Sequence, residues 1–421
     1  MEQTKKRVFY GWFILVIGCM IMFVNYGLAN GPMGLYLIST TESLGITRAE
    51  FSLLYTFRSI TMMTFNMFLG TISQKLGLRR MIFMGCCSVV LALVIFSVAP
   101  SGIFLYIGGL FLGLGFATSS TGALSTLCKN WFYAHRGLAT GIVLAASGFG
   151  SSLGSTLVSS WIEKYSWRIS FRISAAIILA VAIAGVIIIR NTPEDKGLNP
   201  FGSVNDIKKT REKNNQGVSF RQAIRHPDFY IIMASMICIG MLTNPLYTNV
   251  SPQIIDQGLG QDLAAHVISL FFIILAVSKI VLGQCYDSFG FRKALCLCFS
   301  ANIAGIVILL FAKSPVWYYV FGVVFAISVP LETVMVPFLV STVFGDKHSA
   351  TFMGIALALN SVGVGIGNPI MSAFYDANGT YRQGQMVFLG LSIVVFTLLL
   401  IFTSKRFALV NRMLRSNPNQ L

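Results

Sequence analysis

Two short stretches of the sequence, GTISQKLGLRR (residues 70–80) and GQCYDSFGFRK (residues 283–293), repeat one pattern 213 positions apart. Both have glycine at the first and eighth positions and end in a basic pair. The shared residues are Gly70, Gly77, Arg79 and Arg80 in the first stretch and Gly283, Gly290, Arg292 and Lys293 in the second. Asp287 has a neutral counterpart, Gln74. Each stretch is a short polar break between apolar runs, so the chain contains nearly the same charged turn twice.

The repeat extends far beyond these turns. Eight glycine pairs coincide at the 213-residue offset, whereas about one would be expected by chance. Outside the turns they are Gly27/Gly240, Gly45/Gly258, Gly109/Gly322, Gly141/Gly354, Gly150/Gly363 and Gly154/Gly367, and Pro32 pairs with Pro245. The protein is therefore predicted to consist of two copies of one unit.

The composition is that of a membrane protein. Of the 421 residues, 55% are hydrophobic and only 11% are charged, and the mean hydropathy is +0.73. Twelve apolar runs are long enough to cross a bilayer as helices, which takes about 20 residues each. They cover residues 9–38, 49–73, 81–99, 102–128, 137–162, 171–190, 229–250, 264–286, 294–312, 316–343, 350–374 and 385–404. The first run is too long for a signal peptide and is followed by others, so it is predicted to be retained.

These runs predict an all-α membrane protein with twelve transmembrane helices in two six-helix bundles related by pseudo-twofold symmetry. The N-terminal bundle is predicted over residues 1–190 and the C-terminal bundle over residues 229–421. Residues 191–228 form the only long polar stretch of the sequence. Their composition predicts a cytoplasmic linker that ends in a short surface helix at 218–226.

The distribution of basic residues predicts the orientation, because Lys and Arg concentrate in cytoplasmic loops. With the N-terminus inside, 23 of the 31 basic residues fall on the cytoplasmic side and six on the extracellular side. Both termini are therefore expected to be cytoplasmic, in a multi-pass protein of the inner or plasma membrane. The net charge of +16 is explained by this topology and by contact with anionic lipid, and no nucleic-acid partner is expected.

Patterns typical of enzymes and metal sites are missing from the sequence. The four histidines lie near the ends of predicted spans, and H-E-x-x-H, G-x-S-x-G and Walker motifs do not occur. The eight cysteines lie in or beside apolar runs and are interpreted as packing residues. We therefore expect no enzymatic activity, no cofactor and no metal, and a monomer; a transport-derived nutrient sensor is left open.

This plan resembles the major facilitator superfamily, whose signature is G-x-x-x-D-x-x-G-x-R-K/R between helices two and three, echoed between helices eight and nine. The resemblance covers the whole chain and implies a binding site near the midplane between two bundles that alternate in access. It also implies a cytoplasmic latch in which Asp287 meets the positive end of helix five near Arg136. Gln74 would meet helix eleven without a charge.

A closer resemblance is carried by NWFYAHRGLATGIVLAASGFG (residues 130–150), with YGW (10–12), FRQAIRHPDFY (220–230) and YDANGTY (375–381). These stretches are similar to those of the monocarboxylate transporters and of the oxalate:formate antiporter branch. That resemblance implies a basic residue on helix eight, four positions before the motif glycine, that holds the substrate carboxylate; here it is Lys279. The aspartate of the carriers is replaced by Leu275, and the helix-eleven lysine of the oxalate branch by Asn360.

Three ionisable residues lie deep within predicted spans. Charges are costly in a membrane, so a functional or structural role is expected for each of them. Lys279 and Glu332 are predicted at similar depth, and we expect Glu332 to couple anion binding to a proton or a counter-anion. Arg58 is closer to the extracellular side. It is interpreted either as an anion-attracting group or as a residue that pairs with Glu42 or Glu50 or reaches the interface.

Pro32 and Pro245 are expected to interrupt helices one and seven. Further candidate substrate contacts lie beside these two prolines and on helix four. They are Asn30, Tyr36, Ser119, Ser120, Asn244 and Tyr247, and interhelical hydrogen bonding is the alternative interpretation of each. The sequence thus predicts a secondary transporter of a small organic anion, with a monocarboxylate favoured, by proton symport or anion exchange. Proton-coupled multidrug efflux is the alternative.

Overall fold

A computed structural model describes residues 9–132, 136–199, 201, 220–289, 291–332, 335–344 and 349–403. Within these ranges the chain is helical, apart from turns and one isolated bridge between Phe132 and Phe201. The N-terminal half contains α1 (Gly11–Ala29, a 3₁₀ turn at Gly31–Tyr36, then Leu37–Leu44), α2 (Arg48–Met67 and Leu69–Leu76), α3 (Leu78–Ser97), α4 (Gly102–Ser119 and Thr121–Trp131), α5 (Arg136–Lys164) and α6 (Trp167–Ile188).

The C-terminal half repeats this order. It contains α7 (Pro227–Asp256), α8 (Gln261–Phe289), α9 (Phe291–Phe311), α10 (Pro315–Ala326, a 3₁₀ turn at Val329–Glu332, then Met335–Phe344), α11 (Ser349–Asn378) and α12 (Arg382–Phe402). A 3₁₀ turn at Pro193–Lys196 and a short helix at Phe220–Ala223 lie between the halves. That short helix covers only part of the predicted 218–226, because the chain turns again before Pro227 starts α7.

Eleven of the described helices are long and apolar enough to cross a membrane. The twelfth predicted span, α2, does not meet that criterion by itself, because Arg48, Glu50 and Arg58 lower its apolar character. It nevertheless lies among the other helices and packs against α4 and α11. The architecture is the predicted twelve-helix membrane fold with two bundles.

The two proline-containing helices differ, and the expectation that both are interrupted is wrong for α7. In α1 the Gly31–Tyr36 stretch becomes a 3₁₀ turn, whereas α7 stays α-helical through Pro245. A proline in a helix interior removes its own N–H and crowds the carbonyl four residues earlier, yet α7 remains helical here, where it packs against α11. In α1, Pro32 is flanked by Gly31 and Gly34, which have no side chains to support the regular helix.

Equivalent glycines bring equivalent helices together in the two halves. A Cβ atom on Gly27 would overlap the Gly150 carbonyl, so α1 lies directly on α5. One on Gly240 would overlap the Asn360 carbonyl, so α7 lies directly on α11. Because Gly27 and Gly240 belong to one repeat pair, both bundles use the small-residue packing expected of membrane helices.

The halves touch through α2 with α11 and through α5 with α8. Ser52 and Ser372 share a hydrogen bond of 2.6 Å, and Ser152 and Ser269 one of 2.7 Å. We call the side where α1 begins and α12 ends the terminal face, and the other side the distal face. The serine contacts lie toward the distal face. Toward the terminal face, no described atom lies within 4 Å of a Cβ built on Gly141 or Gly354.

The linker region is attached to the terminal face of the N-terminal half. The Phe201 backbone N–H donates to the Trp131 carbonyl at 3.0 Å, and its ring packs 5.6 Å from that of Phe9 and 6.0 Å from that of Trp12. This aromatic contact fixes where the chain leaves the first bundle.

Replacing Gly150 by alanine should destabilise the protein, because the added methyl group has no room beside the Phe23 carbonyl. We expect a loss of about 1–3 kcal/mol, the usual cost of overpacking. Gly141→Ala is the matched control on the same helix. Its Cβ meets open space, so thermal unfolding of purified protein should show no loss there. Equal melting temperatures for both variants would contradict the packing of α1 on α5.

Candidate functional site

Arg58 is buried in the N-terminal half and leaves only 5% of its surface exposed. Its Nη1 donates to Asn30 Oδ1 at 2.8 Å, and the break in α1 at residue 30 is what turns this amide toward α2. The guanidinium carbon lies 5.1 Å from the centre of the Tyr55 ring and 6.0 Å from that of Phe116. Within the described ranges it has no carboxylate within 4 Å. The interpretation that it pairs with Glu42 or Glu50 is therefore wrong.

Glu332 is presented by the break in α10. Pro330 lies in the 3₁₀ turn Val329–Glu332, which separates the two α-helical segments. The carboxylate interacts electrostatically with Lys279 of α8 and with Arg58 of α2, and the Asn244 backbone lies within hydrogen-bonding reach of it. Lys279 and Glu332 are close enough to interact electrostatically, but they form no ion pair within 4 Å.

An amide network on α7 and α11 borders this charged group. Asn368 Nδ2 donates to Asn244 Oδ1 at 2.9 Å, and Asn244 Nδ2 donates to Tyr247 Oη at 2.5 Å. Thr248 Oγ1 donates to Asn368 Oδ1 at 2.7 Å. The Tyr247 phenol itself interacts with Glu332 and Arg58. The network therefore holds a tyrosine hydroxyl beside the buried charges.

Three buried polar atoms of this region have no hydrogen-bond partner among the described residues. They are Arg58 Nε, Tyr55 Oη and Glu332 Oε1. Buried polar atoms are normally satisfied, and exceptions are concentrated at functional sites. We call the group formed by Asn30, Tyr55, Arg58, Asn244, Tyr247, Lys279 and Glu332 the central polar cluster. It draws on both halves and combines two cations, one carboxylate and several neutral hydrogen-bonding groups.

Six of the residues predicted from sequence lie in this cluster, and four others lie elsewhere. Tyr36 is bonded to Ser170 Oγ at 2.8 Å and stacked on Phe171 within the N-terminal half. Ser119 accepts from Asn25 Nδ2 at 3.2 Å, and Ser120 donates to the Phe116 carbonyl. Asn360 Nδ2 donates to the Met236 carbonyl at 3.3 Å. Tyr36, Ser119 and Asn360 thus make the interhelical bonds that were the alternative interpretation, whereas Ser120 bonds a carbonyl of its own helix.

Tyr55, Asn368 and Thr248 were missed by sequence reasoning. Tyr55 lies three residues before Arg58, and this spacing places both side chains on one helix face, so it could have been found. Asn368 precedes Pro369 within an apolar span, which is the same signal that drew attention to Asn244. Thr248 carries no signal of its own.

The residues of the predicted latch are only partly described. Gly77 ends α2 with φ of 76°, a conformation that favours glycine. The backbone N–H of Arg79 donates to Asn191 Oδ1 at 2.8 Å and its Nε to the Val186 carbonyl at 2.6 Å, which ties α3 to the end of α6. Arg292 Nη2 donates to the Leu400 carbonyl at 3.2 Å.

The other latch residues differ in exposure and in whether the structure describes them. Gln74, Arg80 and Lys293 are exposed, and Gly70 and Gly283 lie within α2 and α8. Gly290 and the side chains of Asp287 and Arg136 lie outside the described part of the chain. The predicted contact between Asp287 and the start of α5 therefore stays a prediction. In the described ranges no group of three His, Cys, Asp or Glu side chains could hold a metal ion.

Comparison with known proteins identifies the family of the chain. The sequence profile of the Major Facilitator Superfamily matches residues 15–265 and 232–419. The chain belongs to this superfamily. Its members are membrane transporters of small molecules and not enzymes, and the chain is accordingly a multi-pass transport protein.

Monocarboxylate transporter 12-B of Danio rerio is 23% identical over 411 residues, covering 90% of this chain and 86% of that protein. Monocarboxylate transporter 12 of Homo sapiens is 20% identical, covering 93% and 80%.

Solved structures of superfamily members share the fold. The nucleoside transporter NupG has a TM-score of 0.71 at 12% identity, covering 93% of this chain and 100% of that one. A bacterial homologue of the human lysosomal transporter Spinster, in an inward-facing and occupied conformation, has a TM-score of 0.69 at 14% identity and covers 95% and 98%. At these identities the likeness concerns the fold alone.

Replacing Arg58 by methionine should leave the fold intact or stabilise it. The substitution removes a buried charge that has a single hydrogen bond and no carboxylate within 4 Å, and an uncompensated charge within a membrane is costly. Arg382→Met, which removes an exposed charge at the start of α12, is the control. Thermal unfolding of both variants checks this expectation; a loss of several degrees for Arg58→Met alone would show that the guanidinium is a structural element.

Proposed function

We propose that this transporter moves a small organic anion with one carboxylate, by alternating access of the central polar cluster to the two sides of the membrane. The observation that carries this proposal is the charge balance of the cluster. It contains two cations, the buried Arg58 and the partly buried Lys279, and one partly buried carboxylate, Glu332. An uncompensated charge within a membrane is costly, and one carboxylate from a substrate would bring the total to zero.

The charge balance of the cluster also limits how many negative charges the substrate can carry. A dicarboxylate would leave one excess negative charge unless Glu332 took up a proton. A cationic drug would add to the existing positive charge and would meet only one carboxylate already shared by two cations. The cluster therefore favours a monoanion over both alternatives. The similarity to proteins named monocarboxylate transporters supports the same class.

Lys279 is assigned the role of the principal carboxylate-binding cation, because it lies four residues before Gly283 on α8 and near Glu332. Arg58 supplies a second cation from the other half, held in place by Asn30. A substrate between them would contact both halves, which is the arrangement that lets binding and rocking of the bundles influence each other. Asn244 and Tyr247 would orient the carboxylate through neutral hydrogen bonds.

Glu332 is assigned the coupling role. An incoming anion competes with this carboxylate for Lys279, so binding becomes easier when Glu332 is protonated or turned away. This competition links anion binding to proton uptake or to the exchange of another anion. We further propose that both termini are cytoplasmic in the inner or plasma membrane, that the transporter acts as a monomer, and that Asp287 and Arg136 belong to a cytoplasmic latch.

Transport by purified protein in liposomes tests the substrate class. Uptake of radiolabelled lactate and formate should be saturable and should exceed uptake of oxalate and of a panel of cationic dyes. Dye transport in the absence of anion transport would favour multidrug efflux instead.

Replacing Lys279 by glutamine should lower uptake and exchange of the transported monoanion roughly 100-fold, because breaking a buried charge contact costs about 2–5 kcal/mol. Lys313→Gln, which removes an exposed lysine between α9 and α10, is the matched control and should transport normally. Initial rates in liposomes with equal protein content measure both. Normal transport by the double variant Lys279→Gln/Glu332→Gln would show that no cation is needed at this depth.

Glu332→Gln should separate exchange from net flux. The variant keeps the size of the side chain and loses its titration, so anion exchange should continue while net uptake becomes insensitive to pH. Rates measured with and without a pH gradient across the liposome membrane check this. A pH profile identical to that of the unmodified protein would remove Glu332 from the coupling mechanism.

A further inference from the structure

The YDANGTY stretch (residues 375–381) is not explained by the central polar cluster. It lies at the distal face, where α11 ends and α12 begins, and three of its residues contact the start of α2 in the other half. Arg48, the first residue of α2, is the centre of these contacts. We propose that Arg48, Asp256, Tyr375, Asp376 and Tyr381 form a distal latch that holds the two halves together on the face predicted to be extracellular.

The charged part of the distal latch is a two-point contact between α2 and α7. Arg48 Nη1 and Nη2 donate to the two oxygens of Asp256, both at 2.6 Å. It is the only ion pair within 4 Å in the described ranges. The side chains are 14% and 23% exposed, so the pair is shielded from most solvent. A planar two-point contact of this kind is stronger and more directional than a single one.

Two tyrosines of the C-terminal half enclose the same guanidinium. Its central carbon lies 3.8 Å from the centre of the Tyr375 ring, and its Nη1 donates to Tyr381 Oη at 2.9 Å. The two rings are 4.7 Å apart. Arg48 is therefore satisfied almost entirely by residues of the opposite half, through charge, a hydrogen bond and the face of an aromatic ring.

Asp376 adds a second link, through the backbone. The first N–H groups of a helix have no partner within the helix. In α2 the Thr47 side chain accepts from Glu50 N at 3.1 Å, whereas Asp376 accepts from Arg48 N at 3.3 Å and from Ala49 N at 2.8 Å. The cap of α2 is thus completed by the other half of the molecule. When the halves separate at this face, the helix end loses that carboxylate.

The internal repeat shows that the distal latch exists only once. At the 213-residue offset, Glu163 corresponds to Asp376, Ser43 to Asp256 and Gln261 to Arg48. The second set has neither the cation nor its aspartate, and Glu163 is exposed. The arrangement is therefore a specific feature of one junction and not a by-product of the fold, and Glu163 provides a control at the symmetry-related position.

The test needs no substrate, so it can fail independently of the proposed function. Ser372 lies one helical turn before Asp376, is fully buried and bonds Ser52 across the halves. The Ser372→Cys substitution therefore serves as a reporter, and each variant is made in the protein that carries it. The rate at which a membrane-impermeant maleimide labels Cys at position 372 measures opening at the distal face. Labelling of the protein with only its native cysteines is subtracted. The measurement is made in whole cells and in liposomes of known orientation.

Asp376→Ala, which removes the capping oxygens, and Asp256→Asn should each raise the labelling rate roughly fivefold, the factor that corresponds to the loss of a helix cap or a comparable contact. Glu163→Ala should leave it unchanged. The exchange variant Arg48→Asp/Asp256→Arg should restore slow labelling in part, which separates a loss of pairing from a loss of folding. Unchanged labelling in both single variants, or an equal rise in Glu163→Ala, would overturn the proposal.

Discussion

The cost of a buried charge is the constraint on which the rest of this structure depends. Arg58, Lys279 and Glu332 lie among helices that are otherwise apolar, and each must be compensated without water. The protein compensates them across its two halves, with Arg58 on α2 and the other two on α8 and α10. Because the cluster is completed only when both bundles contribute, its electrostatic energy depends on their relative position. This dependence is what a transporter needs if substrate binding is to bias the movement of its halves.

Close packing of small residues makes that movement a displacement of rigid bodies. Gly27 on α1 and Gly240 on α7 lie directly against backbone of α5 and α11 in their own halves, so each half is tightly joined internally. Small residues also line the junction between the halves, where Gly34 lies against Thr248 and Gly148 against Phe272. Polar contacts there, such as Ser52 with Ser372, are single hydrogen bonds, so the bundles can slide past each other while the geometry within each one is kept.

Much of this could be predicted from the sequence, and the failures have physical reasons. Hydropathy predicts the number of transmembrane helices, and the glycines at a fixed offset predict the internal repeat. Both signals can be read from the sequence without knowing which helices touch. The central polar cluster was found in outline because ionisable residues within apolar spans are conspicuous. The partner of a buried side chain could not be predicted, since it depends on which helices face each other. Pairing with Glu42 or Glu50 was for this reason one interpretation of Arg58, whereas its hydrogen-bond partner is Asn30, on the neighbouring helix α1.

The repeat also shows why a duplicated fold benefits from unequal halves. Parallel repeats are related by an axis along the membrane normal, so both copies of a repeated contact lie on the same membrane face, and a second charged copy would raise the cost of opening that face. Here Asp287 has a neutral counterpart in Gln74, and Asp376 has in Glu163 a counterpart without a cation to meet. Among the described residues, the charged contact at the distal face, Arg48 with Asp256, therefore occurs at one of the two junctions between the halves. A single contact costs less to break than two, so a change in the charge of the central polar cluster has less to overcome when the distal face opens.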